Sequence, residues 1–424
     1  MSSQKPALAE FTGCLALLLL SGLLPLLKVQ YLDFPASLSL SYGLLLLGMR
    51  EVEARTLNPA LALADIFRGH LELGAGLLVI LAQFAGAAAG AFLLSAFCSP
   101  SEAFPAAAGA APAGQLLAVQ LVCGAALAFA HLRGAASSSK FGGPWLGALM
   151  YGSFAVGGEA TAFLNPAVAL GVNVARGVSG GPTDEALLAV VVLGPLLAAG
   201  LSFVLEKASE RSLQLSELVG TFFLSFGILA AAAKGGPAAA VGLAFFAAAV
   251  VRMIAPLSGG SLNPAVSGGA LLSEGRSISR EVATVWLFQV CGALAAALLL
   301  LHVGSSSSSS GAAALASGDW KALAFCAALS ALLMISYCTN WGDFFGSPAA
   351  AVVGAVYGLS IAADAAAVPV NPATSLGAAF AAFFKTGTFP DPLATFAAVF
   401  VPVIGCMAGA VLLRAMPSEY RRRL

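Results

Sequence analysis

Leu164-Asn165-Pro166-Ala167-Val168 decides the fold, because its central tripeptide recurs as Asn58-Pro59-Ala60, Asn263-Pro264-Ala265 and Asn371-Pro372-Ala373. The 424-residue chain has six asparagines, and four of them are spent on this one pattern. The intervals pair up: 165 − 58 = 107 and 371 − 263 = 108, while 263 − 58 = 205 and 371 − 165 = 206. Such a register marks two motifs within a unit and then a repeat of the whole unit.

Each tripeptide has a physical reading. Asparagine caps a helix by accepting a bond from an orphan backbone N–H, and proline at the next position has its φ already set for the helix. Each motif is therefore predicted to start a helix. Inside an apolar chain, the irregular backbone that precedes such a start must be buried in protein or line a water-filled cavity, so short half-helices of this kind mark a pathway.

The surrounding composition supplies the apolar chain. With 59% hydrophobic and 9% charged residues and a mean hydropathy of +0.92, the sequence reads as a polytopic, all-helical membrane protein whose partner is the lipid bilayer. Acidic and basic residues cancel at 20 each, and the single basic run is Arg421-Arg422-Arg423, so nucleic acid is not a partner. The seven cysteines include no CxxC pair and fall mostly in apolar stretches, and the three histidines lack metal-ligand spacing. No metal, cofactor, disulfide or catalytic set can be assembled from these positions, and the chain is not read as an enzyme.

Apolar stretches from Ala9, Pro35, Gly74, Gln115, Trp145 and Ala186 give six spans in a first unit over 1–207. The same order repeats in a second unit over 213–424, for twelve spans and four half-helices in all. Glu206 to Ser212 reads as the linker between them. Gly86 and Gly90, four apart in the third span, predict a close helix approach. Basic residues collect on the side of the N-terminus, from Lys5, Arg50 and Arg55 to the C-terminal arginines, against Lys28, Arg176, Lys234, Lys321 and Lys385 opposite. Both termini are thus expected on the cytoplasmic side.

At this point the chain resembles the aquaporin (major intrinsic protein) family, twice over. LAEFTG at Leu8 and LSELVGTFFLSFG at Leu215 look like that family's first helix, LAQFAGAAAG at Leu81 its third, LSGGSLNPAV at Leu257 its first Asn-Pro-Ala loop, and LGPLLAAGLSFVLEK at Leu193 its sixth helix. The resemblance implies six spans and two re-entrant half-helices per unit, with the two motifs meeting at mid-membrane. Two helix N-termini, each carrying roughly +0.5 charge, would then face one point of a pore, repelling cations while the asparagine amides donate to a neutral solute.

The resemblance also assigns supporting and wall positions. Glu10 and Glu217 are expected to bond the backbone of the re-entrant loops, since an ionised acid in the membrane costs at least ~2.5–3.5 kcal/mol without partners. A second acid usual in the fourth helix is replaced by Gln120 and, in the second unit, by Phe325. The outer constriction falls on Tyr42, Ser153, Ala162 and Val168 in the first unit and on Phe245, Leu359, Val368 and Thr374 in the second, with Val168 and Thr374 standing where water-conducting members usually carry an arginine. Arg50, Glu51, Glu53 and Arg55 crowd the approach to Asn58, whereas the second unit offers a compact Ser258-Gly259-Gly260 turn, so the second pore is expected to carry more of any flux.

Two functions follow from these residues. One is a passive channel for water or small neutral solutes; the other is a non-conducting scaffold that keeps the fold, suggested by the missing arginines and fourth-helix acids. Family members usually form tetramers, so two chains could supply four units, or the chain could sit in a larger membrane complex.

Overall fold

The computed structural model of the chain describes residues 4–28, 33–49, 56–99, 112–135, 142–161, 163–180, 185–303, 317–339, 348–362 and 369–417. Among these residues the secondary structure is helical, and the chain divides into two compact units, residues 1–206 and 207–424. The first unit holds α1 (Gln4–Leu23), α2 (Phe34–Gly48), α3 (Pro59–Arg68), α4 (Leu73–Ser95), α5 (Ala113–Ala135), α6 (Gly142–Gly157), α7 (Pro166–Val178) and α8 (Glu185–Arg211). The second repeats the order with α9 (Leu213–Lys234), α10 (Gly236–Ser258), α11 (Pro264–Glu274), α12 (Arg280–His302), α13 (Trp320–Cys338), α14 (Pro348–Ala362), α15 (Pro372–Thr386) and α16 (Pro392–Ala415).

Nine of the described helices are long and apolar enough to cross a membrane. Three further apolar helices, α2, α6 and α14, have 15, 16 and 15 residues. At 1.5 Å per residue they extend about 23 Å, short of a ~30 Å hydrocarbon core. Large apolar side chains such as Leu77, Leu81 and Phe92 on α4, or Phe396, Phe400 and Ile404 on α16, stand exposed, which suits lipid and not water.

Helix starts follow the local chemistry. Asp33, Ser212, Ser279, Asp319 and Asp391 each accept a bond from a first-turn N–H with the side chain, as capping residues do. One expectation changes. The stretch from Glu206 to Ser212, read as a linker, is helical as far as Arg211, so α8 runs on and Ser212 alone separates it from α9. The charges alternate at helical spacing, with Glu206 bound to Arg68 at 3.1 Å.

Packing depends on small residues. In the first unit α1 lies on α4, α2 on α6 and α4 on α7; in the second α9 lies on α12, α10 on α14 and α12 on α15. A Cβ at Gly86 would stand 2.2 Å from the Phe11 carbonyl oxygen and one at Gly90 2.7 Å from that of Leu15. The backbones of α1 and α4 therefore touch, as the four-residue spacing predicts. Gly292, 206 positions after Gly86, holds α12 against α9 in the same way, its Cβ site lying 2.3 Å from the Leu218 oxygen. Close backbone approach of this kind replaces the hydrophobic drive that lipid cannot supply.

Candidate functional site

The four asparagines each do two things. With Oδ1 they cap their own half-helix, accepting from Ala60, Ala167, Ala265 and Ala373 at 2.9, 3.0, 2.9 and 3.0 Å. With Nδ2 they reach across to the facing loop. Asn58 donates to the Leu164 carbonyl at 3.2 Å and Asn165 to that of Leu57 at 2.7 Å. In the second unit Asn263 donates to Val370 at 2.9 Å and Asn371 to Leu262 at 2.8 Å. Each pair of half-helices is latched reciprocally, N-terminus toward N-terminus, and all four side chains are buried.

The loop before the first motif of each unit carries backbone strain. Leu57 and Leu262 have φ of 47° and 50°, a left-handed conformation that costs a leucine roughly 1–2 kcal/mol. Their side chains tuck against a glycine of the unit's first helix: Leu57 Cδ2 lies 2.3 Å from the Cβ site of Gly13, and Leu262 Cδ2 lies 2.4 Å from that of Gly220. No larger residue fits at either glycine while the leucine stays in place.

What holds the strained loop is the intramembrane acid. Glu10 accepts from the Thr56 N–H (3.0 Å), the Thr56 hydroxyl (3.2 Å), the Leu57 N–H (2.7 Å) and Gln83 Nε2 (2.8 Å). Glu217 accepts from Ser258 Oγ (2.6 Å), Ser261 N (3.1 Å), Ser261 Oγ (3.0 Å), Leu262 N (2.8 Å) and Gln289 Nε2 (2.8 Å). Each of these partners is a donor, which suits an acceptor-only carboxylate. Gln83 and Gln289 also bond the Thr56 and Ser261 hydroxyls, at 2.7 and 3.0 Å. Sequence reasoning had the two acids but not these amides, whose signal was available: 289 − 83 is 206, one of the motif intervals.

Tyrosines finish the approach to the first motif from different helices in the two units. Tyr42 on α2 donates to the Thr56 carbonyl at 2.6 Å, and Tyr337 on α13 donates to that of Gly259. Lower on the first half-helix, Asp65 near the C-terminal end of α3 meets His131 Nε2 at 3.0 Å and His70 Nδ1 at 3.4 Å. A carboxylate there opposes the helix dipole, and the two imidazoles offset it.

The expected wall positions differ in exposure. Phe245 on α10 and Leu359 on α14 are 41% and 48% exposed. Ser360, one residue on, is buried like Ser153 of the first unit. The interval between those serines is 207, against 206 between Asn165 and Asn371, so the intervening segment is one residue shorter in the second unit. Phe325, named for the place of the fourth-helix acid, is 38% exposed, while the adjacent Cys326 is fully buried and donates its Sγ–H to the Pro369 carbonyl at 3.0 Å. Cys326 follows Gln120, itself buried on α5, by 206.

Val168 is buried, its N–H 3.4 Å from Asn165 Oδ1, and Thr374 is buried with its hydroxyl 2.7 Å from Ser225 Oγ on α9. Neither presents a charge. Ser153 offers its carbonyl to the Thr161 hydroxyl at 2.9 Å. Ala162, Val368 and the charged run Arg50–Arg55 lie outside the described residues.

The Cys326 bond supports the loop leading into Asn371. Cys326→Ala is expected to lower the thermal midpoint of the purified protein, at a cost of about 1 kcal/mol, with Cys326→Ser, which keeps a donor, closer to wild type. A Cys326→Ala midpoint equal to wild type would show that the bond supports nothing.

Residues 206–415 match the sequence model of the family described as Major intrinsic protein. The second unit of this chain belongs to the major intrinsic protein family. No curated protein matches the chain. Major intrinsic proteins are channels and not enzymes, and the apolar helices described above make this chain an integral membrane protein. The family match covers α9 to α16, including both motifs of the second unit, Asn263 and Asn371.

Proposed function

We propose that the chain is a passive channel in which each unit builds its own path for water or small neutral solutes. The observation that carries the reading is the reciprocal latch of two half-helix N-termini, present in the second unit and repeated at Asn58 and Asn165 in the first. On this reading residues 1–207 are a second copy of the family's unit. Converging helix N-termini disfavour cations at the latch, and amide hydrogens offer a neutral oxygen a site. Val168 and Thr374 leave the outer part of each path without a fixed charge, which favours passage of small uncharged solutes as well as water.

The pure protein in liposomes is expected to speed osmotic shrinkage above empty vesicles and to admit glycerol. A profile in which water alone passes rapidly would refute the uncharged constriction. Absence of flux for water, glycerol, urea and ammonia would leave the scaffold reading, which the close burial of all four asparagines favours. Both termini on the cytoplasmic side and two chains associating to give four units complete the proposal.

A further inference from the structure

The second unit places a side chain at its latch that the first unit lacks. Tyr357 on α14 is 1% exposed, and its Oη accepts a bond from Asn263 Nδ2 at 3.2 Å. An asparagine amide has two hydrogens. Asn263 gives one to the Val370 carbonyl and the other to Tyr357. A solute oxygen arriving between the two motifs thus meets an amide already engaged, and a phenol beside it.

In the first unit, among the described residues, Asn58 and Asn165 each donate from Nδ2 once, to Leu164 and Leu57, so each amide keeps a second hydrogen. The equivalent of Tyr357 there follows from packing. Gly147 and Gly354 both press on the second helix of their unit, with Cβ sites 2.5 Å from the Ser39 oxygen and 2.2 Å from the Ala244 oxygen, and the interval between them is 207. The interval between the buried serines 153 and 360 is also 207. Since 357 − 207 = 150, the first unit carries Met150 at this position, a side chain with no donor and only a weak acceptor.

Passage of a neutral solute depends on pore width and on the hydrogen-bond partners that replace its hydration, and Tyr357 removes both at the one place where the half-helices meet. We propose that Tyr357 closes the path of the second unit at its asparagine pair. The closure rests on the channel reading above, and it reverses the sequence-based expectation that the second unit carries the larger share of flux.

The test uses the full chain in liposomes at matched protein content, with water and glycerol flux read by stopped-flow light scattering on wild type, Tyr357→Met, Met150→Tyr and the double exchange, each checked for monodispersity and helix content. If the two paths are otherwise alike, Tyr357→Met raises flux about twofold, Met150→Tyr brings it near empty vesicles, and the double exchange returns it to about the wild-type value. Should Tyr357→Met pack poorly, Tyr357→Ala gives the same gain. Wild-type flux that is unchanged in well-folded Tyr357→Met and Tyr357→Ala overturns the closure and leaves the channel reading standing. Flux absent from wild type and from both Tyr357 variants overturns the channel reading and the closure together.

Discussion

Glu217→Ala is expected to abolish recovery of folded protein from detergent extracts. The carboxylate takes bonds from five donors, two of them the backbone N–H groups of Ser261 and Leu262 in a loop that already holds Leu262 at φ 50°. Alanine leaves those donors facing hydrocarbon-buried space, at about 1–3 kcal/mol for each group that finds no substitute. Two orphaned amides and the unsupported strain together approach the 5–15 kcal/mol that is typical of whole domains. Glu217→Gln keeps one acceptor oxygen but turns an NH2 toward the donors, so its yield and thermal midpoint should fall between alanine and wild type. Size-exclusion profiles and thermal unfolding of the three proteins check this; a Glu217→Ala protein with the wild-type midpoint would mean that the acid does not hold the loop.

Gly354→Ala should do comparable damage by a different route. Its new Cβ would lie 2.2 Å from the Ala244 oxygen, 2.6 Å from Ala248 Cβ and 2.8 Å from Ala248 N, so α10 and α14 would have to part by roughly 1 Å to reach ordinary contact. Overpacking of this kind costs about 1–3 kcal/mol and sometimes more. Because Tyr357 lies less than a turn further along α14, the shift also reaches the Asn263 amide. Gly74→Ala is the control: its Cβ meets nothing within 4 Å, and its thermal midpoint should match wild type or rise slightly. Equal midpoints for the two variants would show that the α10–α14 contact tolerates a methyl group.

Which of these features the sequence discloses depends on whether a residue's meaning is local. Asn-Pro is legible because capping and a preset φ act within one turn, and the four half-helices start where the motif says. Glu10 and Glu217 are legible because charge in an apolar run demands a partner. Gln83, Gln289, Thr56 and Ser261 carry no charge, and only their position beside the acid distinguishes them from other polar residues.

Wall positions are least legible, since one residue of register turns a helix by about 100°. A single-residue difference between 153–165 and 360–371 leaves Leu359, the predicted wall residue, exposed and Ser360 buried. Phe325 and Cys326 show the same sensitivity. Tyr357 lay in plain view, but its role depends on a bond to a residue 94 positions earlier, which no local rule supplies.

The tether of Glu10 also bears on the order in which the chain is made. Its partners Thr56 and Gln83 follow it by 46 and 73 residues, so the acid is made before the groups that bond it. During that interval, burial of the bare side chain is opposed by at least ~2.5–3.5 kcal/mol. Its final depth is settled only when the loop at Thr56 and then α4 arrive, which makes α1, α3 and α4 one event of biogenesis. Glu217, with its amide partner 72 residues later, imposes the same wait a second time on the same chain.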